Sequence, residues 1–215
     1  MQTYQKLLLN NKAWAAQQLE NDPDYFVNLS KDQNPNYLWI GCSDSRVPAD
    51  KITGTQPGEI FVHRNVANMV VHTDMNLMSV LQYAVEVLQV KHILVVGHYN
   101  CGGIKAAMTN DNYGIINKWL RNIKDIYEKH ETELHSIDDM QLRSDRLVEL
   151  NVVEQVKNLA KTTIVQKSWN RGLYPYIHGW VMDLHSGHIN QIIEVESGDL
   201  SVLNPVHRYN FPQPK

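Results

Sequence analysis

The stretch Tyr37-Leu38-Trp39-Ile40-Gly41-Cys42-Ser43-Asp44-Ser45-Arg46 decides how this chain is read. An apolar run ends abruptly in a cysteine, a carboxylate and a guanidinium. A short continuous apolar run is the pattern of a strand buried on both faces, as in a parallel sheet. A second stretch repeats the plan: His92-Ile93-Leu94-Val95-Val96-Gly97-His98-Tyr99-Asn100-Cys101-Gly102-Gly103. The chain has only two cysteines, and these two stretches use both.

Working outward, Pro57-Gly58 marks a turn and residues 59–63 read as a further strand. Thr73 is a helix N-cap, with Asp74 in the first turn, where the dipole favours a carboxylate. Leu77, Val80, Leu81, Ala84, Val85 and Leu88 follow at helical spacing, which predicts a helix over 74–89. Strand, helix, strand with a crossover of this length is the unit of a parallel sheet. Residues 115–130 and 146–163 read as two more helices, and polar 131–145 as a surface connection. Residues 176–184 and 189–195 alternate around Ser186-Gly187, the pattern of an antiparallel hairpin.

Toward the N-terminus, 4–20 reads as a helix and 23–31 holds a second short one. Trp14 lies in a segment too thinly apolar to form a core alone, so it needs the main body or a partner chain to pack on. The expectation is one α/β domain over 1–215, with a mainly parallel central sheet, flanking helices and an antiparallel C-terminal hairpin. Within it, 1–34 form a helical arm, 35–200 the core and 201–215 a tail, of which 204–215 read as extended or frayed.

Bulk numbers narrow the function. At 215 residues and 43% hydrophobic content the chain can bury a sizeable core. A net charge of −3 with both signs interspersed gives no basic footprint for nucleic acid and no polybasic membrane patch. No apolar run approaches a spanning helix, and the first residues do not read as a signal peptide, so the expected location is cytoplasmic.

Both special stretches put ligand-type residues at the carboxyl end of an expected parallel strand, the edge where open α/β sheets bind ligands. His98-x-x-Cys101 places two donors on one tight loop, and Gly102-Gly103 lets backbone approach a metal or small ligand. Two thiolates and an imidazole favour zinc over oxygen-loving cations. Three ligands leave a fourth tetrahedral position open, as in catalytic sites. Asp44 either competes for that position or bonds what fills it, and Arg46 can grip Asp44 bidentately. Taken singly, each feature has a plainer explanation: two buried thiols, a turn histidine, a structural ion pair. The remaining nine histidines read as ordinary, with His178 beside Trp180 and His185 and His188 exposed at the hairpin turn.

Cys42-Ser43-Asp44-Ser45-Arg46 together with His98-Tyr99-Asn100-Cys101-Gly102-Gly103 resembles the signature pair of the β-class carbonic anhydrases, of the bacterial type. The resemblance runs from Trp14 to His178-Gly179-Trp180. It implies a zinc enzyme, with one Zn²⁺ per subunit, that hydrates carbon dioxide reversibly to bicarbonate and a proton by attack of zinc-bound hydroxide. It places Cys42, His98 and Cys101 as metal ligands and Asp44 and Arg46 as the catalytic dyad, with Asp44 as fourth ligand in a closed state. Gln33, Phe61, Val66, Tyr83 and the amide of Gly102 match the carbon-dioxide pocket, which the family builds partly from a second subunit. The implied assembly is a homodimer or homotetramer. Trp39 and Arg64 match two members of a regulatory bicarbonate site, but Met182 stands where a tyrosine is expected and cannot donate its hydrogen bond. Packing is therefore the expected role of Trp39. Other readings are hydrolysis of a different small heterocumulene such as carbon disulfide, a structural zinc, or a redox thiol pair.

Overall fold

A computed structural model describes residues 3–212, in two compact units that divide between Asn34 and Pro35. The first unit is a helical hairpin of α1 (Thr3–Asn21) and α2 (Tyr25–Leu29). Trp14 meets the ring edges of Phe26 and Tyr25 at centroid distances of 5.5 and 6.3 Å. Even so, α1 buries no residue, and Tyr4, Leu7, Leu8 and Leu19 remain exposed.

The second unit runs β1 (Tyr37–Cys42), α3 (Ala49–Thr53), β2 (Ile60–Asn65), α4 (Met75–Gln82), β3 (His92–His98), α5 (Gly102–Ala107) and α6 (Ile116–Lys129). It continues with α7 (Glu131–His135), α8 (Met140–Ala160), α9 (Thr163–Asn170), β4 (Tyr176–Met182) and β5 (Ile189–Val195). The sheet order is β2-β1-β3-β4-β5, parallel except for β5, so the expected mixed sheet with its C-terminal hairpin is present. From β1 the chain steps to one side to make β2, then crosses to the other side to make β3. That reversal opens a crevice at the carboxyl ends of β1 and β3, where Cys42 and His98 stand.

Strand alternation divides the core. Leu38, Ile40, Ile93, Val95, Ile177 and Val181 join the main cluster, which α8 covers. Trp39, Leu94 and Val96 point into a smaller cluster with Ala49 of α3. Trp39 is fully buried, and its indole N–H finds no hydrogen-bond partner. The approach of α8 is close because β3 and β4 carry glycines beneath it. A Cβ on Gly97 would lie 2.8 Å from a methyl of Val152, and one on Gly179 would lie 2.7 Å from the other.

Several expectations shift. Residues 131–145 are not a surface connection: α7 buries Leu134 completely, and α8 begins at Met140, capped by Asp139 Oδ1 accepting from Leu142 N–H at 2.8 Å. The helix expected over 146–163 is α8 ending at Ala160, after which Thr162 caps the separate α9. The N-cap of α4 is Asp74 rather than Thr73, and a π-helical turn over Tyr83–Val87 continues that helix. The tail is not frayed throughout. Leu203 is buried, Pro205–His207 form a 3-10 turn, and Gln166 grips it through His207 O at 2.9 Å and Tyr209 N–H at 2.9 Å. Residues 213–215 lie outside the described chain. No helix among the described residues is long and apolar enough to cross a membrane.

Candidate metal centre

Cys42 closes β1, His98 closes β3, and Cys101 follows on the loop that starts α5; all three are buried. One ligand atom from each lies within 4.8 Å of the others, and the two sulfurs are 3.9 Å apart. No other cluster of this kind exists among the described residues. The loop between His98 and Cys101 turns at Asn100, which takes a positive φ of 58°, a conformation asparagine tolerates better than most side chains.

The tautomer of His98 follows from its partner. Nδ1 faces the carbonyl of Tyr99 at 2.9 Å and must carry the proton to donate. Nε2 is then an unprotonated lone pair, fully buried and without a hydrogen-bond partner, aimed among the two thiols. An orphaned acceptor of this kind is costly unless something electrophilic fills the space. Both thiols are free. The Cys42 thiol is pushed down, mainly by the hydrogen bond from Cys101 and further by His98 and the backbone N–H groups of Asp44 and Ala67. Cys101 is pushed up by that same shared hydrogen bond and by burial, while the N–H groups of Ile104 and Gly103 oppose the rise. For His98, burial favours the neutral ring, but the charge of Cys42 beside it, the Tyr99 carbonyl and the charge of Asp44 raise the imidazole. An imidazole lone pair and two converging sulfurs, one already inclined to ionise, fit a zinc ion.

Asp44 sits at the mouth of the cluster, its Oδ2 3.7 Å from His98 Nε2. Arg46 holds it in a fork: Nε donates to Oδ1 at 2.9 Å and Nη2 to Oδ2 at 2.6 Å, while the backbone N–H of Arg46 also donates to Oδ1. The Arg46 guanidinium therefore keeps the Asp44 carboxyl well below the usual carboxylate range. Arg64 acts on the same loop from β2. Its Nε donates to the carbonyl of Cys42 at 2.8 Å and its Nη2 to the carbonyl of Asp44. The family resemblance matches Arg64 to a regulatory bicarbonate site that Met182 leaves incomplete; here Arg64 braces the backbone that carries Cys42 and Asp44. Tyr99, unremarked in the sequence, donates its hydroxyl to Glu149 at 2.7 Å, and burial with that carboxylate pushes its phenol up to about 12.

The pocket residues separate into groups. Val66 abuts the ligand loop, since a Cβ on Gly103 would lie 2.8 Å from its methyl. Gly102 is exposed, with open space where a side chain would be. Phe61 and Tyr83 pair with each other at 5.7 Å. However, Phe61 is registered with Leu38, four residues before Cys42, or about 13 Å along the strand. Gln33 belongs to the first unit, where it is exposed and its N–H bonds Asp32. Cys42, His98 and Cys101, which could hold a metal, and the Asp44–Arg46 pair thus converge within one chain, whereas the Phe61–Tyr83 pair stands apart from them.

The sequence matches the carbonic anhydrase family over residues 37–189. A carbonic anhydrase of Emericella nidulans is 52% identical over 186 residues, spanning 86% of this chain and 82% of that protein. Among solved structures, a tetrameric β-carbonic anhydrase of Sordaria macrospora superposes with a TM-score of 0.86 at 38% identity, covering 90% of this chain and 99% of that one. A Coccomyxa β-carbonic anhydrase in complex with acetazolamide gives a TM-score of 0.86 at 39% identity, covering 90% and 87%. The fold, the crevice between β1 and β3 and the Cys-His-Cys cluster all agree with these likenesses, and the chain belongs to the β-class carbonic anhydrases.

Proposed function

We propose that this chain interconverts carbon dioxide and bicarbonate as a zinc-dependent carbonic anhydrase, with Cys42, His98 and Cys101 holding one zinc per subunit. The observation that carries this reading is the buried, unpartnered Nε2 of His98 facing two free thiols. Metal analysis of the purified chain should give about one zinc for the one buried Cys-His-Cys cluster. A preparation that is active yet metal-free would sink the assignment.

Zinc bound there supplies the Lewis acidity that makes a water nucleophilic near neutral pH. The two thiolates cancel its formal charge, so this donor set withdraws less proton affinity from water than three neutral imidazoles would. Asp44 offsets part of that deficit. Ionised and fixed, it accepts a hydrogen bond from the attacking oxygen species and so aims a lone pair at the carbon of carbon dioxide. Arg46 keeps the carboxylate from swinging inward; with the fork broken, Asp44 could become a fourth ligand and close the site. Val66 and the Gly102 amide flank the place where carbon dioxide would lie.

The dyad also bears on the pH profile. Asp44 is depressed below the usual carboxylate range by Arg46, so it stays ionised above that range, and the pairing is lost only as pH falls through its lowered value. Any rise of hydration activity between roughly pH 6 and 9 therefore belongs to a group other than this carboxylate. We expect activity to climb across that interval in the wild-type chain, measured by stopped-flow at constant ionic strength. A flat profile would contradict ionisation of the nucleophile.

We also propose that the chain assembles with copies of itself into a dimer or tetramer, in which a second subunit completes the pocket. The Phe61–Tyr83 pair, set apart from its own cluster, and the exposed apolar side chains of α1 support this. Deleting residues 1–34 should lower the number of chains per particle measured by sedimentation, and an unchanged number would remove the arm from the interface. Two free cysteines suit a reducing compartment, and the cytoplasm is our reading of where the chain works.

A further inference from the structure

Helix α8 turns a column of amides, not leucines, toward the backbone that flanks the metal centre. Asn151, Gln155 and Asn158 follow at i, i+4 and i+7 and so share one helix face; the first two are completely buried. Nδ2 of Asn151 donates to the carbonyl of Ala67 at 3.0 Å. Oε1 of Gln155 accepts from Val70 N–H at 2.7 Å, and Nδ2 of Asn158 donates to the Val70 carbonyl at 3.2 Å. The amides are also locked to one another, with Gln155 Nε2 donating to Asn151 Oδ1 at 2.9 Å. From α6, Trp119 Nε1 donates to the carbonyl of Val66 at 2.8 Å.

The backbone gripped in this way is strained. Ala67 and Asn68 are consecutive and buried, and both take positive φ, 63° and 48°. Residues with a Cβ avoid this region unless their surroundings impose it. On its other side the same segment meets the metal ligands. Ser43 N–H, next to Cys42, donates to the carbonyl of Asn65 at 2.8 Å, and the Val66 methyl and Ala67 Cβ fill the space beside Gly103, two residues past Cys101. Burying amides where apolar side chains would pack is unfavourable unless their hydrogen bonds are made. These bonds are made, and they end on the segment touching both thiols' surroundings.

We infer that Asn151 and Gln155 are positioning residues for the metal centre: through residues 66–70 they fix the backbone beside Cys42 and the wall behind Cys101. The inference rests on the reading that these cysteines hold a metal. Its test uses the cobalt-substituted full-length protein, in which thiolate-to-cobalt charge transfer reports the sulfur geometry directly. Asn151→Leu and Gln155→Leu keep the bulk and delete the amide. Val156→Ala, elsewhere on α8, is the control for lost stability alone.

The expected result is a shifted or weakened charge-transfer band in both leucine variants, and metal transfer to a chelator at least tenfold faster than in wild type. The control should keep the wild-type band and release rate. If the leucine variants do not fold, Trp119→Phe decides the matter: it retains an aromatic ring but removes the donor to Val66 and should shift the band in the same direction. Leucine variants, or a Trp119→Phe variant when they do not fold, with the control's spectrum and release rate would overturn the inference while leaving the proposed function intact. A wild-type chain that takes up neither cobalt nor zinc would overturn both.

Discussion

Replacing His98 by alanine should give a folded protein that retains no stoichiometric zinc and hydrates carbon dioxide about a thousandfold more slowly, or worse. The size of the effect follows from the geometry. His98 is fully buried, and it supplies the only neutral donor of the cluster. The hydrogen bond to Tyr99 O leaves its Nε2 no other protein partner. Removing it leaves two thiols 3.9 Å apart, too few ligands to hold a catalytic ion with an open position. Stability should change far less than activity, because the orphaned ring nitrogen goes with the ring. Zinc content and stopped-flow rate, measured on a variant shown to be folded, check this together. Full zinc occupancy with near-normal turnover would remove His98 from the metal's ligand set.

The second large effect belongs to the dyad, and it differs in kind. Asp44→Ala and Arg46→Ala should each keep about one zinc per chain yet lose about a hundredfold in turnover. Neither residue is needed to hold the metal by this reading, but together they aim the nucleophile and keep the carboxylate off the fourth position. Arg46→Lys should rescue little, since an ammonium cannot reproduce the two-pronged grip on both carboxylate oxygens. The double variant should be scarcely worse than either single one, as expected of residues acting as a unit. Wild-type turnover in either single variant would reduce the pair to a surface ion pair of little consequence.

The parts of this molecule legible in its sequence are those written locally. An apolar run stopped by a cysteine fixes a buried strand and its functional end in ten residues, and Cys42 and His98 do end neighbouring strands. Helix α4 announced itself by periodicity, with Asp74 beside it. What failed to show was set by tertiary contacts. Helix α7 is one turn and a half long and exists because Leu134 finds the core, something no local propensity reveals. On α8, buried Asn151 and Gln155 look like surface residues until their partners at Ala67 and Val70 are known. The left-handed pair Ala67-Asn68 carries no glycine to mark it. Arg64 could be read only by analogy, because its two carbonyl acceptors lie about twenty residues away in the chain.

The measurement that bears most directly on the central claim is stopped-flow hydration of carbon dioxide by one preparation in three states: as purified, after zinc has been chelated, and after zinc has been restored. If the Cys42-His98-Cys101 cluster is the catalytic metal centre, rapid turnover will vanish with the zinc and return with it. Turnover that survives complete removal of zinc, or fails to appear in a folded chain holding one zinc, would contradict that assignment.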